Sequence, residues 1–133
     1  MKPLKSKWIA YTVVVGLIPM LTRLLIWTAT TAGRVAPLAA SDFVALGLVL
    51  HISIVNELEH VPSKEAEIKT ILNGTSLLFI TLYGALHALT VLAEQNATLI
   101  DPTSILQDSI ALAGASMALS LVVFQYLSRR SKR

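Results

Sequence analysis

The sequence of 133 residues has no cysteine and few charged residues, and both shortages narrow what the protein can be. Without cysteine it can form no disulfide framework, no thiolate metal site and no thiol nucleophile. Charged residues make up 14% of the chain, whereas a soluble domain usually carries about 25%. Hydrophobic residues make up 54%, which excludes a disordered chain and disfavours a soluble domain. The formal net charge of +3 is too small to indicate a nucleic-acid partner.

Long apolar runs fill most of the chain and predict four transmembrane helices. A span needs about 20 mostly apolar residues to cross a hydrocarbon core of about 30 Å. Four segments meet this requirement, namely residues 8–31, 38–56, 70–93 and 104–127. A charged loop over residues 57–69 separates the second segment from the third. Because the connectors are short, we expect neighbouring helices to be antiparallel. The predicted fold is therefore all-α, a single polytopic membrane domain over residues 1–133 that forms a four-helix bundle.

Lysine and arginine are distributed unequally between the two sides that this topology creates. Both tails and the central loop would share one side and carry most of the basic residues, whereas the opposite loops contain only Arg34. The positive-inside rule then places both termini in the cytoplasm. The membrane that we expect is the plasma membrane, that is, the bacterial inner membrane. The alternative is that the first segment is a cleaved signal peptide, which would leave three spans. Its length and the presence of Pro19 and Arg23 are atypical of a signal core.

Arg23 lies near the middle of the first span and is the most informative residue. Even the lowest scales assign about 2.5–3.5 kcal/mol to an arginine at that depth, so we expect a partner or water beside it. Asp42 and Asp108 are the candidate partners, and His87 lies at a similar depth. The sequence thus predicts an intramembrane polar cluster, which is either a structural ion pair or a ligand site in an aqueous cavity. Pro19, one turn earlier, can kink the helix and is a candidate hinge.

Small residues recur at helical spacing on the last two spans. Such residues let helix backbones approach closely in lipid. The residues predicted to pack in this way are Gly84, Ala88, Ala111, Gly114, Ala115 and Ala118. Two interpretations stay open. These faces pack the four helices of one protomer together, or they pack one protomer against another.

The central loop and the C-terminal tail are the charged ends of the predicted cytoplasmic side. The loop carries a mixed-charge surface suited to a soluble protein partner, with Glu57, Glu59, His60, Glu65 and Glu67 as its candidate residues. The alternative is a solvated helix end. The tail is polybasic and can bind anionic lipid or only anchor the topology, through Arg129, Arg130, Lys132 and Arg133.

The sequence contains no motif that indicates chemistry. No glycine-rich phosphate loop or metal-ligand spacing occurs, so we expect no enzyme, no cofactor and no metal. His51, in the second span, predicts either a hydrogen bond across helices or a pH-sensing or metal-binding group.

Three functions remain open. The first is a self-associating, channel-like or pore-like assembly of the plasma membrane, such as a defence or lysis effector. The second is a membrane-anchored interaction subunit or an immunity protein, which would bind a cytoplasmic effector or a membrane-active toxin. The third is a small dimeric transporter.

Overall fold

The computed structural model describes residues 3–96 and 98–130, with side chains described from residue 7 onward. This part of the chain is all-helical and contains no strand. Four α-helices follow one another: α1 (Pro3–Ala29), α2 (Ala40–Leu58), α3 (Ala66–Gln95) and α4 (Pro102–Arg130). One turn of 3₁₀-helix, Ser63–Glu65, precedes α3.

All four helices are long and apolar enough to cross a membrane. They overlap the four apolar segments of the sequence, and α3 and α4 extend beyond those segments at both ends. The helical ends of α2 and α3 also take up part of the charged stretch 57–69, so that only residues 59–65 lie between the two α-helices. The charged residues of that stretch are therefore divided between the helix ends, with Glu57, Glu67 and Lys69, and the connector, with Glu59, Lys64 and Glu65.

Local side-chain chemistry explains where α4 begins. The Asp101 carboxylate accepts a hydrogen bond from the Thr103 backbone N–H at 3.1 Å and another from the Ser104 hydroxyl at 2.8 Å. The bond from Thr103 satisfies one of the backbone donors that the first turn of a helix leaves without an intrahelical partner. Pro102, which has no N–H to satisfy, is the first helical residue. In the loop after α1, Gly33 adopts a positive φ of 81°, a conformation that glycine reaches without steric cost.

Helix α2 is the central helix of the bundle. Three apolar clusters fill the interior, and α2 contributes to each: Ile54 and Leu58 to the first, Val44 to the second, and Leu46 with Leu50 to the third. Of the residues in the most apolar stretch of α2, 44% are buried, whereas 11% are buried in the corresponding stretch of α1. The outer face of α1 carries exposed apolar side chains that suit contact with lipid.

Two glycines allow α1 and α3 to approach α2 closely. A Cβ on Gly16 of α1 would lie 2.6 Å from the Leu46 Cδ1 atom, and a Cβ on Gly47 of α2 would overlap the ring of Tyr83. Small residues are the usual means of close helix packing in membranes. The close approach inside this bundle therefore depends on Gly16 and Gly47, which lie on α1 and α2.

Candidate functional site

Three groups of polar side chains inside the apolar bundle join α2 to neighbouring helices. Two of the groups join α2 to α1. At one end of α1, the Trp8 indole N–H donates to the Ser53 hydroxyl at 2.5 Å, and the Thr12 hydroxyl lies 2.8 Å from the same oxygen. At the other end, Arg23 forms an ion pair with Asp42. These contacts fix how α1 is rotated against α2.

The ion pair supplies Arg23 with a counter-charge inside the apolar part of the chain. The Arg23 Nε–H donates to Asp42 Oδ2, and its Nη2 lies 3.5 Å from Oδ1. The Asp42 side chain is 10% exposed and that of Arg23 is 28% exposed. A charge pair at this depth lowers the cost of placing either residue in a span, because neither charge is left alone.

The other two residues of the predicted polar cluster lie elsewhere. His87, on α3, and Asp108, on α4, are both exposed, and no hydrogen bond or ion pair joins either to Arg23 within the described residues. Of the two carboxylates considered for Arg23, the structure brings Asp42 to it. Pro19 is half-buried, and α1 continues through it as one helix.

The third polar group is the most buried and brings together one side chain from each of α2, α3 and α4. His51, Tyr83 and Ser116 are fully buried. The Ser116 oxygen lies 2.9 Å from His51 Nε2 and 2.6 Å from the Tyr83 hydroxyl, and it donates to the Leu112 carbonyl at 2.9 Å. One serine hydroxyl therefore holds three helices at one point.

Proton counting assigns the direction of these bonds. A serine hydroxyl has one proton to donate and two lone pairs that accept. All three contacts of Ser116 are satisfied together only when it donates to Leu112 and accepts from Tyr83 and from a His51 Nε2–H. In a serine–histidine nucleophile pair the imidazole instead accepts the serine proton. The arrangement therefore resembles interhelical polar packing more than an activated nucleophile.

The same assignment leaves the other nitrogen of His51 as an acceptor. His51 Nδ1 and the Ser76 hydroxyl are both buried and have no hydrogen-bond partner among the described residues. The imidazole stacks on the Phe79 ring at a centroid distance of 4.6 Å, and Phe79 lies one turn from Ser76 on α3. Buried polar atoms of this kind are commonly satisfied by an internal water.

Helix α4 has two faces of different chemistry. The buried face carries Ser109, Ser116 and Ser120, each bonded to a backbone carbonyl of its own helix. The small residues predicted to pack helices lie on the opposite, exposed face of α4 or on the exposed face of α3. A Cβ built on Gly84 or Gly114 meets nothing within 4 Å. Within one protomer no other helix therefore packs closely against either of these two glycines.

A groove runs between the exposed sides of α3 and α4. It has a volume of about 490 Å³ and an apolar lining that includes Leu82, Leu86, Ala111 and Ala115. Asp108 is the acidic residue of its lining. A second cavity of about 370 Å³ lies between the start of α2, the end of α3 and the start of α4, and Glu94 belongs to its lining.

The residues predicted for a partner surface stand around the α2–α3 connector. Glu59, His60 and Glu67 are exposed, and Glu57 is half-buried. Glu65 is occupied by an ion pair, because the Arg130 Nε atom lies 2.7 Å from its Oε1. Arg129 is exposed, whereas the predicted lipid-anchoring residues Lys132 and Arg133 lie outside the described residues.

The sequence pointed to Arg23, Asp42 and His51 but did not assign His51 to Tyr83 and Ser116. Polar residues occur in every span, and their pairing depends on helix rotation, which hydropathy does not give. Ser109, Ser116 and Ser120 do recur at helical spacing, and that recurrence was the available signal. Comparison with family models, with curated proteins and with solved structures finds no match for this chain.

Proposed function

We propose that the protein is a small multi-pass protein of the bacterial plasma membrane that self-associates through α4 into a channel-like assembly. In this proposal the helices alternate in direction and both termini are cytoplasmic. The pairing of Trp8 with Ser53 and of Arg23 with Asp42 supports an antiparallel α1–α2 pair. The basic residues at the C-terminal end of α4 support the orientation.

The observation that carries the proposal is the exposed face of α4. Gln107, Gly114, Ala118 and Gln125 are exposed, and they lie within about 20° of one line along the helix at 100° per residue. The centre of this line is a Gly-x-x-x-Ala pair, the spacing that lets two membrane helices cross closely. The glutamines near its ends can hydrogen bond across an interface of that kind. We call these four residues the α4 seam.

The filled interior of the bundle decides where a path could lie in a channel-like assembly. Three apolar clusters and three interhelical polar groups occupy the inside of one bundle. A path for ions or small solutes would therefore run between protomers. This makes conductance depend on assembly, and the two properties can be measured on the same protein.

The test is to place leucine on the seam. Gly114→Leu combined with Ala118→Leu adds bulk to the exposed face without entering the bundle. We expect the wild-type protein to form one defined oligomer in nanodiscs and to make liposomes leaky. We expect the double variant to be monomeric and to leave liposomes impermeable. The control is Gly74→Leu on α3, where a Cβ also meets nothing within 4 Å. A wild-type monomer, or a seam variant that assembles and leaks like the wild type, overturns the proposal.

The exposed charge at the α2–α3 connector favours a second candidate, a membrane-anchored interaction subunit. Glu59 and Glu67 are exposed beside this connector, and both are free of the ion pair that occupies Glu65. Reversal of both charges to lysine should then abolish co-purification of a cytoplasmic partner. Unchanged partner recovery would exclude this candidate.

A further inference from the structure

The groove between α3 and α4 combines an apolar wall with one carboxylate at its end. Along α4, Asp108 is the lining residue nearest the start of the helix, and Ala115 is the lining residue farthest from it. From Asp108 to Ala115 the helix rises about 10 Å. The groove is thus elongated, and its charge is placed at one end.

Asp108 has no partner within the part of the chain that the structure describes. It is exposed, and no hydrogen bond or ion pair of its side chain occurs there. Arg23 is paired with Asp42 and so does not neutralise it. A cation that compensates Asp108 therefore has to come from outside the groove-lining residues.

The depth of Asp108 limits what such a cation can be. Helix α4 has 29 residues and is about 43 Å long, which exceeds a hydrocarbon core of about 30 Å by about 13 Å. Divided equally, this leaves about 6–7 Å of α4 outside the core at each end. Asp108 lies about 9 Å from Pro102 along the helix. The carboxylate is therefore within about 3 Å of the core boundary, and the rest of the groove lies inside the core.

We propose that this groove binds an amphiphilic monovalent cation. The positive head would pair with Asp108 at the boundary, and the apolar tail would lie along Leu86, Leu82 and Ala115. A hydrophilic cation would leave the apolar wall unused, and a neutral chain would leave the carboxylate unpaired. The volume of about 490 Å³ is within the range of small-molecule sites. This site is separate from the α4 seam and does not require self-association.

The test uses octyltrimethylammonium and the full chain in nanodiscs. Binding is measured by equilibrium dialysis of the labelled probe, with protein-free nanodiscs subtracted. We expect saturable binding to the wild type and about tenfold weaker binding to Asp108→Asn, a loss between those measured for exposed and for buried ion pairs. Ala115→Leu, which fills the groove and keeps the carboxylate, should also weaken binding.

Two controls separate the charge from the tail. Glu94→Gln removes another exposed carboxylate near the same end of the bundle and should bind like the wild type. Octyl sulfate, which has the same tail and the opposite charge, and tetramethylammonium, which has no tail, should both compete poorly. Equal binding by wild type and Asp108→Asn, or equal competition by octyl sulfate, overturns the proposal. The oligomeric state is measured for every variant. A loss of self-association through the α4 seam can therefore be distinguished from a loss of cation binding in the groove.

Discussion

The ring of Tyr83 lies against Gly47, in the space that a Cβ at position 47 would occupy. Helix α3 can therefore approach α2 at this point only because residue 47 has no side chain. The same ring carries the hydroxyl that bonds Ser116. One glycine thus allows three helices to meet.

Gly47→Ala should destabilise the bundle. The added methyl overlaps the Tyr83 ring, and overpacking of this kind costs about 1–3 kcal/mol. Thermal unfolding in detergent, followed by circular dichroism, measures the loss. The matched control is Gly74→Ala, where the methyl meets nothing within 4 Å and the change from glycine should stabilise by up to about 1 kcal/mol. Equal effects at the two positions would contradict the packing described.

Ser116→Ala should be more damaging than Tyr83→Phe. Loss of the Ser116 hydroxyl leaves both His51 Nε2 and the Tyr83 hydroxyl buried without a partner, and each such group costs about 1–3 kcal/mol. Tyr83→Phe removes one bond and leaves Ser116 its other contacts, so we expect about 0.5–1.5 kcal/mol. Unfolding free energies of the two variants provide the comparison.

Ser120→Ala is the control for serine removal on the same helix. Its hydroxyl bonds the Ser116 carbonyl of its own helix, so no group on another helix loses a partner. We expect a smaller change than for Ser116→Ala. A loss at Ser120 as large as that at Ser116 would mean that volume, and not the interhelical bond, sets the cost.

Arg23 and Asp42 should be energetically coupled. Arg23→Gln or Asp42→Asn alone leaves the other charge unpaired in the span, and we expect each to cost about 1–3 kcal/mol. The double variant has neither charge, so its decrease in unfolding free energy should be smaller than the sum of the decreases in the two single variants. A double-mutant cycle of unfolding free energies measures this coupling. Strict additivity would show that the ion pair contributes nothing in solution.

Asp101, which lies outside the spans, should make the start of α4 sensitive to acid. Hydrogen bonds from the Ser104 hydroxyl and the Thr103 backbone N–H lower the pKa of Asp101 below its ordinary value of 3.8. Its stabilising contribution is therefore present above the ordinary value and is lost as the pH falls through the lowered pKa. NMR titration of the Asp101 carboxyl carbon should show the lowered midpoint, and Ser104→Ala should raise it. An identical midpoint in that variant would contradict the role of Ser104.

Hydropathy located the four helices because a span is a property of local composition. Periodicity also indicated that α4 has a small-residue face. What periodicity leaves open is which face of α4 turns inward, because serine and alanine are both small and both suit a helix interface. In the structure the serines turn inward and Gly114 turns outward. A hydroxyl that bonds its own backbone is satisfied inside an apolar bundle, so a serine face can pack inward as well as an alanine face.

The partner of Arg23 is a second feature that the sequence predicts only in part. Charge and depth reduced the choice to two carboxylates, but the selection of Asp42 over Asp108 depends on helix rotation and on which helices are neighbours. The grouping of His51 with Ser116 joins residues 65 positions apart. No spacing rule predicts such a pairing, since it arises only after all four helices have assembled.

The central position of α2 has a consequence for biosynthesis. Asp42 and Ser53 have their partners on α1, which is synthesised first, so a nascent pair of helices can already satisfy them. The hydrogen-bonded group of His51 also contains Tyr83 and Ser116, which lie on α3 and α4 and are synthesised later. During synthesis α1 and α2 can therefore pair before α3 and α4 exist, whereas the buried contacts of His51 form only after Tyr83 and Ser116 have been translated. The interhelical contacts of α2 are complete only once α4 has been synthesised.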